Sequence, residues 1–318
     1  MVVKILSRKQ QRKLLKLVYG RQNQYTAQLR KLFQHANHRV RAEISAFLAK
    51  QANWSSKANK EQIQLAMDEL ERFDDDVQPL TSYYRSSLTL GHPKQGDVVT
   101  AMVAVPLIGV ASAMHKMVNH TEGQVPQEVR HATMVQNHKT PRFHKVPPKY
   151  DLVLQKTVSQ VMVQRNGVHT TINRDIQQTI SKIKEVCKKA STDTDAKHDY
   201  AKDVDRILTG KNGKGGASAL AQTIMRTETC RQLNGTTIGD FKARGVKRYR
   251  FLSLEASTTC AECSHMDSNT YEVEDAEEGV NLPPMHPNCH CWIEPVEDTD
   301  ISDLPSFDEM MANPDEFE

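Results

Sequence analysis

The chain has 318 residues, a formal net charge of +3, 38% hydrophobic and 25% charged residues. With a mean hydropathy of −0.60, it is expected to be a soluble, helix-rich chain of about two domains at roughly 150 residues each. Fourteen glycines and thirteen prolines exclude a collagenous or low-complexity protein. The small net charge hides an asymmetry. Residues 1–50 carry twelve Lys/Arg against the single acid Glu43, a net +11, whereas residues 294–318 carry ten Asp/Glu and no base. A basic arm of this kind suits a polyanion, and the other end is an acidic tail. Two solvated ends that pair loosely with each other are the plainer alternative. No secretory signal is expected from the first residues.

In chain order, Tyr25, Leu29, Leu32, Phe33, Ala36, Val40, Ile44, Phe47 and Leu48 recur at three- and four-residue steps and predict a first amphipathic helix. Asn59 followed by Gln62 predicts a capped second helix with the stripe Ile63, Met67 and Leu70, ended by Pro79. Residues 89–150 contain six prolines (93, 106, 126, 141, 147 and 148), and five histidines (115, 120, 131, 138 and 144) are scattered over thirty of these residues. They are expected to form an irregular connector. Within it Val98–Met114 is uncharged over 17 residues, short of a comfortable membrane span. It is expected to be buried or partner-facing, with membrane contact as the sharper alternative.

Further helices are expected on the stripes Leu154, Val158, Val161, Met162 (closed by Gly167), then Ile172, Ile176, Ile180, Ile183, Cys187, then Tyr200, Val204, Ile207, Leu208 (ended by Gly210). Cys187 is expected to be a small core residue. The loop Gly210–Gly216 departs from a phosphate-binding loop: Gly215 stands where a hydroxyl should follow Lys214, and a helix precedes it. A turn suffices there. Ala217–Leu233 predicts another helix stopped by Gly235. Lys247–Leu254 and Tyr271–Val273 then predict strands.

The chemistry is concentrated near the end. Four of the six cysteines fall in Cys260-Ala-Glu-Cys263 and His286-Pro-Asn-Cys289-His-Cys291, the pattern C-x2-C-x22-H-x2-C-x-C. Two-residue spacing lets a tight turn present two ligands together, and zinc takes four such donors in a tetrahedron. Cys260, Cys263 and His286 are the favoured ligands, with Cys289 or Cys291 completing the set and His290 facing solvent or supporting a ligand. A disulfide, or reduced thiols in a core, is the alternative. A closed set of four or five donors leaves no open position for a reacting water. The order also reverses the deaminase pattern, in which H-x-E precedes P-C-x-x-C, and H-E-x-x-H is absent. The cluster is expected to be structural. Glu228, four residues after Ile224, is expected to face inward and need a partner. Arg226 lies on another side of the helix and cannot be that partner directly. Both are assigned to a polar network holding the helix to the knuckles.

Arg226-Thr227-Glu228 inside a helix, then C-x-x-C, then Pro283-Pro284-Met285-His286-Pro287-Asn288-Cys289-His290-Cys291, resembles the C-terminal domain of phage head morphogenesis, or minor head, proteins of the Mu F type, over roughly residues 200–295. The chain departs from that pattern in having Glu255 and Ala256 where an Asp is common. Ser268 follows Asp267 where a glycine is usual, and His290 stands in place of arginine. The resemblance implies a non-enzymatic virion component, carried inside the head and present in the host cytoplasm during assembly. It implies association with the portal protein, contact with scaffold or major capsid protein, and a role in packaging and delivering DNA.

The expected fold is α+β, mainly α: a basic helical region (1–88), the irregular connector (89–150), a helical plus α+β domain with a zinc-stapled hairpin (151–296) and the acidic tail (297–318). Non-specific double-stranded DNA binding is assigned to Lys4, Arg8, Lys9, Arg12, Lys13, Lys16, Arg21, Arg30 and Lys31. The competing readings are a nuclease or toxin-like enzyme, for which residues beyond about 295 offer only the acidic tail, and a cellular zinc-ribbon nucleic-acid binder. Glu272, Glu274, Asp275, Glu277 and Glu278 around the knuckles oppose the latter.

Overall fold

The computed structural model describes residues 8–50, 53–73, 75–137, 148–193, 198–253 and 259–296, with the side chains of 8, 9, 133–137 and 148–166 excepted. Lys4, the acidic tail, and the side chains of Arg8, Lys9 and the stripe Leu154 to Met162 therefore lie outside what is described.

The first stripe forms a single long helix, α1 (Arg8–Ala49). Leu29, Phe33, Ala36, Val40, Ile44 and Phe47 are buried, and Leu14 and Val18 extend the same face toward the N-terminus. α2 (Lys60–Glu71) starts at the expected capping box: Asn59 Oδ1 accepts from Gln62 N at 2.8 Å, and the Gln62 side chain accepts from Asn59 N. Pro79 begins a helix rather than ending one. It stands in the first turn of α3 (Gln78–Thr89), where a missing N–H costs nothing.

The expected irregular connector is corrected by α4 (Gln95–Asn137), which runs through both Pro106 and Pro126. Each interior proline forfeits a backbone hydrogen bond, a cost of about 3 kcal/mol. Around Pro106 the compensation is burial on every side. Val98, Val99, Ala101, Val103, Ala104, Val105, Leu107 and Ile108 are all buried, because α4 packs against α1, α2, α3 and the helices that follow. A helix apolar all round belongs at the centre of a core. By length and composition α4 could cross a membrane, and its apolar window is 83% buried in the fold.

α5 (Pro148–Thr192) continues through Gly167, so the two stripes predicted as separate helices share one. Ile172, Ile176, Ile180, Ile183 and Cys187 are buried as expected. α6 (Tyr200–Thr209) is capped by Asp199 and stops at Gly210. The loop to α7 is a turn. Gly210 and Gly216 have φ of +75° and +65°, and a Cβ on either would collide with backbone across the turn. α7 (Gly216–Arg244) passes the predicted stop at Gly235 and ends at Gly245, whose φ of 74° is the left-handed C-cap. Gly235 is instead buried in the helix. α7 packs against α1, α4, α5 and α6.

After α7 come β1 (Arg248–Leu252), α8 (Ala261–Met266), β2 (Thr270–Glu272) and β3 (Trp292–Val296). The sheet order is β2-β1-β3, both pairings antiparallel. The strand inside the 22-residue excursion thus pairs with β1, which lies before the first knuckle. β3, with little alternation, is not apparent in the sequence. Alternation along β1 sends Tyr249 and Phe251 to one face, both fully buried. Tyr249 packs with Ile238 and Phe241 of α7, and Phe251 packs against Cys230, Cys263, Cys289 and Cys291. The fold is mainly α, and the small sheet lays one face against both α7 and the thiols.

Candidate metal centre

Two tight turns deliver the donors. Cys260 is the N-cap of α8, and its Sγ accepts from Cys263 N at 3.3 Å. The same turn faces Cys263 inward, 2% exposed. The second turn is closed by Cys289 N donating to the His286 carbonyl at 3.1 Å. Asn288 sits at its apex with φ of 66°. Asn tolerates that left-handed conformation better than most residues.

The turns meet. His286 Nε2 lies 3.0 Å from Cys260 Sγ and 3.2 Å from Cys263 Sγ, and Cys263 Sγ lies 3.9 Å from Cys289 Sγ. The donor atoms fall into two overlapping groups able to hold a metal ion, Cys260/Cys263/His286 and Cys263/Cys289/Cys291, with Cys263 in both. His286 Nδ1 is 2.8 Å from the Pro287 carbonyl. A carbonyl only accepts, so Nδ1 carries the proton and Nε2 presents its lone pair to the thiols, as metal-ligating histidines do.

Crowding governs the protonation of the thiols. The Cys289 thiol is held far below the ordinary range, chiefly by hydrogen bonding with Cys230 and then with Cys291. Cys291 is pushed far up, first by its bond to Cys289 and then by burial. Burial, and then the Cys289 charge, push Cys263 up to about 12. Cys260, at the open side, is lowered by the backbone N–H of Cys263. His286 is lowered by burial, but the Pro287 carbonyl and nearby thiolates outweigh this and leave it raised. One negative charge in this group thus opposes the next, and a divalent cation at its centre would relieve that opposition. The described cysteines are free thiols.

α7 grips the second turn through one polar stripe. Thr223 Oγ1 accepts from Asn288 Nδ2 (3.2 Å), Thr227 Oγ1 accepts from Asn288 N (3.1 Å), and an Arg226 NH group donates to Asn288 Oδ1 (3.3 Å). Further along, Asn234 Nδ2 donates to the Cys291 carbonyl at 3.0 Å. Residues 223, 226/227, 230 and 234 share a helix face, so this side of α7 is shaped to the knuckle. The third member of the triplet faces elsewhere. Glu228, 2% exposed, accepts from Arg231 at 2.5 Å and from Gln232 Nε2 at 2.8 Å. Arg231 Nε also reaches both carboxylate oxygens of Glu278, at 2.8 and 3.1 Å. The partner that Glu228 needs is therefore Arg231, and Arg226 and Arg231 each tie α7 to the cysteine-bearing segment.

Three residues the sequence reading passes over belong here. Cys230 is fully buried against Cys289 and the Cys291 carbonyl. Asn234 is fully buried as well. Tyr19 of α1 packs against His290 with the rings tilted by 60° and their centroids 5.1 Å apart. His290 does not face solvent: burial lowers its pKa and Arg226 lowers it further. The spacing of Cys230 and Asn234 from Arg226 by four and eight residues was the available signal. The triplet His120-Thr121-Glu122 has the H-x-E form, but it lies on α4, where His120 bonds the Tyr25 hydroxyl, and joins neither donor group.

The usual-glycine position also has a physical account. Ser268 has φ of 66°, a conformation glycine adopts freely and other residues adopt at a cost. Asp267 before it accepts from Ser253 N at 2.6 Å, fixing the turn to β1.

Of the residues assigned to DNA, Arg12, Lys13, Lys16, Arg30 and Lys31 are exposed on α1. Arg21 is instead committed to an ion pair with Glu128 of α4.

The family model described as Phage Mu protein F like protein matches residues 168–294. The match begins within α5 and ends within β3, and it contains both knuckles and the stripe of α7 that holds them. The matched residues include the motifs that carry the resemblance and begin earlier in the chain, at residue 168 rather than about 200. No curated protein and no solved structure matches the chain.

Proposed function

We propose that this protein is a minor head protein of a tailed phage, a non-enzymatic virion component that acts with the portal in head assembly and in DNA packaging and delivery. The observation carrying the proposal is the match of residues 168–294 to the Phage Mu protein F like family. The Cys/His pattern lies within that segment, and its donors converge.

In this reading zinc is the metal. Zn–S bonds of about 2.3 Å imply tetrahedral edges of about 3.8 Å, and the Cys263–Cys289 separation of 3.9 Å fits such an edge. Cys260, Cys263, His286 and Cys289 are then the ligands, with Cys291 packed beside them. When bound, the ion supplies no reactive chemistry; it neutralises the thiolates and fixes the two turns. α7 holds the resulting knob by Asn288 and the Cys291 carbonyl, which presents a rigid surface at one end of a helical body. The exposed bases of α1 provide a sequence-blind contact with packaged DNA, and the portal is the partner for the body, with scaffold or major capsid protein as further contacts.

Deleting the coding frame from the phage or prophage that carries it tests the proposal. The expected result is loss of infectious particles, restored by supplying the protein in trans. An unchanged titre after deletion would contradict it.

A further inference from the structure

Two arginines stand apart from the other charges near the knuckles. Arg231, Arg244 and Arg250 are each ion-paired to a carboxylate. Arg30 of α1 and Arg226 of α7 are not: among the described residues each bonds only a neutral amide oxygen. Arg30 Nε donates to Gln222 Oε1 at 2.9 Å, and Arg226 donates to Asn288 Oδ1 at 3.3 Å. The Gln222 amide is itself fixed, since its Nε2 donates to the Ser218 carbonyl at 3.1 Å. Gln222 and Arg226 are one helical turn apart, so the bond to Gln222 brings the Arg30 guanidinium onto the face from which Arg226 projects.

We propose that Arg30 and Arg226 form a phosphate-binding pair at the junction of α1, α7 and the second knuckle, and that a backbone phosphate of duplex DNA occupies it. Each guanidinium carries five N–H donors in a planar fork suited to phosphate, and each spends one on an amide. The amides hold the forks in place without neutralising them. Arg30 is exposed and Arg226 is half-buried, so the pair opens to solvent. Burial, and next the charge of Arg30, lower the pKa of Arg226. That like-charge cost is relieved by an anion between the two. The inference rests on the proposed DNA binding, and extends it from the exposed bases of α1 to a defined contact in the C-terminal segment.

The test uses the full chain with its metal, in two arms. In the first, a fluorescent duplex of about 25 base pairs is titrated over 50–300 mM salt. Arg30→Gln and Arg226→Gln should each weaken binding about tenfold at low salt, the lower bound for a charge-assisted hydrogen bond. Each should make the slope of log K against log salt shallower by about 0.9, and Arg226→Lys should keep the slope. In the second, inorganic phosphate at fixed ionic strength should raise the melting temperature of the parent and not of either Gln variant. Loss of slope in both Gln variants supports the pair with DNA as the source. An unchanged slope, or no DNA binding, overturns DNA as the occupant of the pair even where the phosphate response is lost. If Arg226→Gln fails to fold, Arg30→Gln on the exposed face decides alone. An unchanged slope together with an unchanged or absent phosphate response overturns the inference, and leaves the role of the protein in the head untouched.

Discussion

Replacing Glu228 by alanine tests how α7 is fixed to the cysteine-bearing segment. The carboxylate is 3% exposed and its Arg231 partner 22% exposed, with 2.5 Å between charged atoms. Removing one member of a buried pair costs about 3–5 kcal/mol because the other charge is stranded. Here Arg231 retains two bonds to Glu278, which lowers the cost, while Gln232 Nε2 loses its acceptor, adding about 1 kcal/mol. The expected loss is about 3 kcal/mol. Glu278→Ala should cost only about 1 kcal/mol, since Glu278 is 28% exposed and such pairs are worth little. The double variant strands Arg231 completely and should lose about 1 kcal/mol more than the sum of the single losses. Urea unfolding of the full chain, followed by far-ultraviolet circular dichroism, measures all three. A loss under about 1 kcal/mol for Glu228→Ala, or strict additivity in the double variant, refutes the argument that Arg231 is the shared pivot.

Ser268→Gly should stabilise the protein by up to about 1 kcal/mol, because it relieves a left-handed residue costing about 1–2 kcal/mol and the freer unfolded chain returns part of that; a destabilised variant in the same urea assay counts against this. His115, buried in α4 beside His169, Asn173 and Asp76, has its pKa lowered by burial more than the Asn173 bond raises it. Its folded pKa lies below the unfolded value of 6.5, so stability is complete above that pH. It falls as the pH drops toward the folded pKa, by at most about 1.4 kcal/mol per pH unit. His115→Leu should flatten that segment of the stability–pH curve, and identical curves for the two proteins contradict the assignment. The purified protein should contain one equivalent of zinc, and the pair Cys260→Ser and Cys263→Ser should unfold the sheet, because binding free energy in such sites is folding free energy. Elemental analysis finding no metal, with every thiol titratable in the native protein, removes the centre.

Much of this was legible in the sequence where one local rule acts alone. The stripe of α1 needed only helical spacing, the start of α2 only the Asn59 and Gln62 side chains, and the knuckles only two-residue spacing of soft donors. Errors arose where tertiary burial overrode local signals. Pro106 and Pro126 read as breakers, yet α4 runs through both, and around Pro106 it is surrounded by other helices. Gly167 and Gly235 read as stops, yet both helices run through them, Gly235 buried within α7, and the left-handed C-cap at Gly245 is the actual end of α7. β3 lacked alternation because its strand is covered unevenly, with Ile293 and Glu294 both buried. Its pairing Arg250↔Glu294, closed by an ion pair at 3.2 Å, depends on residues 44 positions apart. Glu228 was correctly turned inward by its spacing from Ile224. Its partner Arg231 carries no mark in the triplet, and the Arg226 that does contacts Asn288, 62 residues away.

The most direct measurement of the central claim is the protein content of gradient-purified, DNA-filled heads from the phage proposed to encode this chain, read by quantitative mass spectrometry. Membership of the head predicts the chain among the particle proteins, in few copies beside the portal. Its absence from heads that contain portal and major capsid protein, with the chain recovered only from the host lysate, would contradict the account.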